Sequence, residues 1–133
     1  MRRHALIILL IATLHGGFGV TLAAIAAHAE MSPLLATASR FMMIHAAAAA
    51  ALAAVLIALR PPGRAFAFLA YALQAGVTLF CADLAFQAFA QHQLFPYAAP
   101  IGASTTILAW AALAVWTALR LWRTRGAGAE DGV

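Results

Sequence analysis

The chain has 133 residues, of which 65% are hydrophobic and 9% charged, with a mean hydropathy of +0.93. A soluble domain carries about 25% charged residues, so there is too little polar surface to coat a water-soluble globule, and the same figures exclude a disordered chain. The net charge of +4 comes from eight arginines, no lysine and four acids; the arginines sit at the ends of apolar runs and no nucleic-acid motif accompanies them, so they read as orientation in a bilayer and not as nucleic-acid binding.

The first apolar run spans about residues 5–27 and leads into His28-Ala29-Glu30. Its start, Met1-Arg2-Arg3-His4, and the Ala27-His28-Ala29 near its end have the form of a secretory signal with its cleavage site. The run is longer than a signal core and contains His15-Gly16-Gly17-Phe18-Gly19, so we read it as a retained span. Ala12, Gly16, Gly19, Ala23 and Ala27 recur at spacings of three and four, which lets a neighbouring helix approach closely.

Met31-Ser32-Pro33 comes next, with Ser32-Pro33 expected to start a short interfacial helix or turn. The second run spans residues 41–59 and is stopped by Arg60-Pro61-Pro62-Gly63-Arg64. Its centre, Ala46 to Ala51, lacks the insertion energy of Leu, Ile, Phe or Val, so this span should depend on its neighbours. The third run, residues 65–90, ends at Gln91-His92-Gln93-Leu94-Phe95-Pro96-Tyr97. The fourth, residues 100–122, is succeeded by Arg123, Arg125 and a small, polar tail, residues 126–133, expected to be disordered.

Each run is long enough to cross ~30 Å of hydrocarbon as a helix, and lipid offers no partner for a free backbone group. The fold class is therefore all-α: a single-domain integral membrane four-helix bundle with short loops. Arg2, Arg3, Arg60, Arg64, Arg120, Arg123 and Arg125 fall on one side of this map and Arg40 alone on the other. That asymmetry predicts a multi-pass protein of the inner (plasma) membrane with both termini cytoplasmic. Phe95, Tyr97 and Trp122 fit interfacial anchors.

Several of these segments occur together in one known group. They are Ala26-Ala27-His28, Phe41-Met42-Met43-Ile44-His45, Gly76-Val77-Thr78-Leu79-Phe80-Cys81-Ala82, Pro100-Ile101-Gly102 and Ala109-Trp110. From about Gly16 to Val115 the chain resembles the domain of unknown function 423 family, small membrane proteins of the transmembrane protein 256 type. The resemblance implies a compact four-helix membrane protein and implies no activity. Ala23, Ala24 and Ala26 stand where the family tends to have glycines, and Cys81-Ala82-Asp83 replaces a Ser-Gly-Ser-like segment. Asp83 is therefore not something the resemblance implies.

The candidate site is an intramembrane polar cluster in the outer half of the bundle: His28, Arg40, His45, Asp83 and Gln87. Asp83 and Gln87, four apart, share a helix face. A carboxylate near the bilayer centre costs about 2.5–3.5 kcal/mol, so Asp83 should be paired, protonated or close to the interface, with Arg40 or His45 the candidate partners. The cluster reads either as a staple joining the helices or as a pocket. His15, His28 and His45 raise haem ligation, but His28 and His45 lie at the outer edge and no haem motif accompanies them. No His-x-x-x-His or Cys-x-x-Cys spacing suggests a metal. The single cysteine, Cys81, is in a span and reads as packing.

No nucleophile–base pair or phosphate loop is present, so no catalytic residue and no cofactor are assigned. The leading reading is a non-enzymatic protein acting through helix–helix contacts, as an accessory or assembly subunit or a homo-oligomer. The alternative is a binder or carrier of a small lipid, quinone or proton-coupled solute. The bilayer is the one certain partner, other membrane subunits or further copies of the chain are the candidates, and nucleic acid is not one.

Overall fold

With water excluded, each apolar run satisfies its backbone internally, and the chain forms four helices: α1 (Arg2–His28), α2 (Pro33–Ala58), α3 (Arg64–Ala90) and α4 (Ala98–Glu130). The structure, a computed structural model, describes residues 2–28, 33–58 and 63–130, excluding the side chains of 125–130. Glu30, Ser32 and Arg60 lie outside the described residues. All four helices are long and apolar enough to cross a bilayer, and the chain is a multi-pass membrane protein.

The start of α2 and the end of α4 differ from the sequence reading by about two turns each. α2 starts at Pro33 and not at Phe41, so residues 33–40 belong to the same helix as the span. The ring of Pro33 sets φ for a first helical turn and lacks an N–H that would go unpaired there. Leu34, Leu35 and Ala36 then favour helix, and Leu35, Ala38 and Ser39 are buried against the bundle. At the other end α4 runs on through Gly126 to Glu130, into the segment expected to be disordered. Propagating an existing helix costs far less than nucleating one.

α1 and α2 are antiparallel, with Gly16 against Ala46 and Gly19 against Met43. α3 runs parallel to α1, because His4, Ile8 and His15 meet Tyr71, Gln74 and Thr78 in step. α4 turns back along α3, with Thr106 against Gly76 and Gly102 against Phe80. Helices α1 and α3 therefore point one way and α2 and α4 the other. Arg2, Arg3, Arg64, Arg120 and Arg123 gather at the end that carries the first and last helical residues; Arg40 is at the opposite end.

The interior divides into two apolar cores. Ile8, Ala53, Leu56, Phe66, Leu73 and Leu113 belong to the one nearer the arginine-rich end, and Ala38, Met42, Val77, Cys81 and Leu84 form the other. His15, His45, Gln74 and Thr78 lie between them. Large side chains such as Ile44, Phe68 and Ile107 point outward, where hydrocarbon receives them at no cost.

The turn after α3 rests on a left-handed residue, Gln91 (φ 62°), whose N–H caps the helix on the Gln87 carbonyl at 3.0 Å. Tyr97 (φ 68°) is the second such residue and accepts from the Ile101 N–H at 2.9 Å, starting α4.

Of the contacts made at glycines, the tightest are between α3 and α4. A Cβ on Gly76 would lie 2.6 Å from Thr106 Oγ1 and 2.9 Å from the Gly102 carbonyl oxygen. One on Gly102 would lie 2.5 Å from the Phe80 amide nitrogen. The second contact is backbone and cannot step aside. Gly76→Ala and Gly102→Ala should each destabilise the bundle by about 1–3 kcal/mol, read from reversible unfolding in bicelles. Gly17→Ala, whose Cβ would meet nothing within 4 Å, should be neutral or stabilising by up to ~1 kcal/mol in the same assay.

Candidate functional site

The polar side chains of the spans separate into three groups. The first is Asp83, which is fully buried. Its Oδ1 accepts the Leu94 amide N–H at 2.8 Å, and its Oδ2 accepts from Gln87 Nε2 at 2.6 Å. The pairing expected with Arg40 or His45 is thus replaced by Gln87 and a backbone amide. The reason is local. The chain leaves α3 at Ala90 and folds back over it, which brings the Leu94 N–H to the carboxylate. Gln87 sits one turn further along the same face. Asp83 therefore ties the 91–97 turn onto the end of α3.

The second group joins α2 to α4. His45 Nδ1 contacts the Phe41 carbonyl oxygen at 2.8 Å, and Trp110 Nε1–H donates to His45 Nε2 at 3.3 Å. A carbonyl only accepts and an indole N–H only donates, so His45 is the neutral Nδ1–H tautomer. The Phe41 ring packs on the imidazole, with centroids 4.2 Å apart.

The third group joins α1 to α3. Thr78 donates its hydroxyl to the Gln74 carbonyl at 2.8 Å, so its oxygen accepts from His15 Nε2–H, also at 2.8 Å. Gln74 Nε2 donates to the Ile8 carbonyl at 2.9 Å. His15 Nδ1 and Gln74 Oε1 are buried without a hydrogen-bond partner among the described residues. Both are acceptors in this scheme. His15 and His45 lie at one level, since Gly16 and Ala46 touch, but each Nε2 is already engaged, by Thr78 and by Trp110. Among the described residues no group of three His, Cys, Asp or Glu side chains is placed to share a metal.

Of the five sequence candidates, Asp83 and Gln87 are brought together. His45 faces Trp110 instead, His28 is the exposed last residue of α1, and Arg40 is exposed beside a cleft between α1 and α2. Cys81 packs in a core with its Sγ 3.5 Å from the Ala38 carbonyl oxygen. The residues that sequence reasoning missed are Trp110 and the Leu94 amide. An indole inside a span needs an acceptor, which was a usable signal for Trp110. Nothing in the spacing marks Leu94.

Asp83→Leu should leave the Leu94 N–H unpaired and cost about 1–3 kcal/mol. Asp83→Asn keeps an acceptor for it, and Gln87 can turn its amide to suit. Hydrogen exchange of the Leu94 amide is the readout: fast in Asp83→Leu, still protected in Asp83→Asn.

The family model described as "Protein of unknown function (DUF423)" matches residues 15–103. No curated protein and no solved structure matches the chain. The matched stretch takes in α1 from His15 onward, all of α2 and α3, and the Gly76–Gly102 crossing, and on it the chain belongs to the DUF423 family.

Proposed function

We propose that this is a non-enzymatic protein of the inner membrane, with cytoplasmic termini, that works as an accessory or assembly subunit through lateral helix contacts. One observation carries the reading. Glycine inside a helix costs about 1 kcal/mol against alanine, and in α1 two of the three glycines have a use within the chain. Gly16 meets Ala46, and Gly19 meets Met43 and the Ser39 backbone. Gly17 is exposed, and a Cβ there would meet nothing within 4 Å.

Thr13 and Thr21, one turn to either side, are also exposed. Their hydroxyls donate to the Leu10 and Gly17 carbonyls of the same helix, so these donors are already satisfied within it. With Leu14 and Phe18 they border a shallow notch of ≈ 270 Å³. A face of this kind admits the backbone of another membrane helix, where packing and not burial drives association. The seven arginines on one side of the map support the orientation.

The second reading, a carrier of a small solute, draws on the unpartnered His15 Nδ1 and Gln74 Oε1. Against it, Asp83, Gln87 and His45 are engaged within the bundle.

Gly17→Leu should abolish or weaken lateral association at least ~tenfold while leaving unfolding unchanged. Disulfide crosslinking of Thr21→Cys in native membranes, with mass spectrometry of the adducts, reads the contact. Undiminished adducts in Gly17→Leu/Thr21→Cys would remove the proposal.

A further inference from the structure

We infer that the cleft between α1 and α2 on the Arg40 side binds the headgroup of an anionic phospholipid, with Ser39 and Arg40 as the recognising residues. The two helices press together at Gly19, where an added Cβ would lie 2.8 Å from the Met43 side chain and 3.2 Å from the Ser39 carbonyl oxygen. Towards His28 and Pro33 the facing residues are Ala23, Ala26 and Ala27 of α1 and Ala36 of α2. Side chains this short cannot fill the space between the helices, and a cleft of ≈ 300 Å³ remains, with Met43 among its lining.

Two polar groups border this cleft. Ser39 is 2% exposed, lines the cleft, and makes no side-chain hydrogen bond to any described residue. Other hydroxyls of the spans behave differently: Thr78, Thr106 and Thr117 each donate to a carbonyl of their own helix. A hydroxyl that is not spent on its own helix can donate into the cleft that it lines, so Ser39 is suited to a ligand there. Arg40, next to it, is exposed, lines the same cleft, and forms no ion pair with a described residue. It is also the one arginine among the described residues at this end of the bundle.

The chemistry selects the ligand. A guanidinium offers paired N–H donors that match the oxygens of a phosphate, and a serine hydroxyl adds one more. The alanine walls are apolar and suit the glycerol and upper acyl carbons of a lipid. The site is at a helix end, the level at which headgroups lie. A phosphatidylcholine headgroup would add a cation beside Arg40, so the anionic lipid is favoured. The site is on a different side of α1 from Gly17 and does not depend on lateral association.

The test is native mass spectrometry of the purified full chain released from nanodiscs of phosphatidylglycerol and phosphatidylcholine with matched acyl chains. The wild-type chain should retain phosphatidylglycerol over phosphatidylcholine by about tenfold, equivalent to ~1.4 kcal/mol. Arg40→Gln should remove most of that preference, and Ser39→Ala, which removes a donor to the phosphate that the two lipids share, should lower retention of both about threefold and leave the preference unchanged. Arg40 is exposed, so its replacement leaves the packing intact. Arg123→Gln, at the other end, should leave the preference unchanged. The Gly17→Leu chain should retain it too, which separates this site from lateral association. Equal retention of the two lipids, an equal loss in Arg123→Gln, or displacement of the lipid by millimolar inorganic phosphate would each overturn the proposal.

Discussion

The bundle depends on the close approach of two backbones, α3 and α4, at Gly76 and Gly102. In a bilayer the hydrophobic effect does not favour one helix neighbour over lipid. What favours it is dispersion between surfaces that fit, and that falls steeply with a fraction of an ångström of separation. At this crossing even a single Cβ carbon would clash with the opposing backbone. The same contact sets the height of α4 against α3. It therefore places Trp110 two turns beyond Gly102, at the level of His45 on α2. It also fixes how the 91–97 turn meets the end of α3, where Asp83 accepts the Leu94 amide.

The polar groups then act as directional restraints on helices that packing alone would leave free to slide. Each of the three restraints joins a different pair of segments. Asp83 and Gln87 hold the turn, His45 and Trp110 span α2 to α4, and His15 and Gln74 span α1 to α3. In hydrocarbon such bonds are worth about 0.6 kcal/mol on average, so their contribution is register more than stability. The pair of unpartnered acceptors, His15 Nδ1 and Gln74 Oε1, marks where this scheme is incomplete.

Glycine is used in two opposed ways. Gly19, Gly76 and Gly102 face inward and are needed because a neighbour is too close for a side chain. Gly17 faces outward, and a Cβ there would meet no described residue within 4 Å. Helix α1 therefore presents three sides with different tasks: packing against α2 and α3, a notch towards the bilayer, and the alanine-walled cleft beside Ser39 and Arg40.

Most of the architecture was legible in the sequence, because hydropathy and span length are properties of single segments. Four apolar runs, the arginine asymmetry and the Asp83–Gln87 relation on one helix face all come from local spacing. The start of α2 was not legible, because Leu34 to Arg40 is too mixed in polarity to count as a span. Only the burial of Leu35 and Ala38 shows that this segment and residues 41–58 are one helix. The partner of each polar residue was hidden too, since that depends on helix rotation and crossing depth. Those are decided by many small contacts between non-local surfaces, and composition carries no record of them. Sequence alone thus determined that the chain is a four-span bundle and which end of it is basic. Tertiary structure alone decided that Asp83 meets a backbone amide, that His45 meets Trp110, and that Gly17 looks outward.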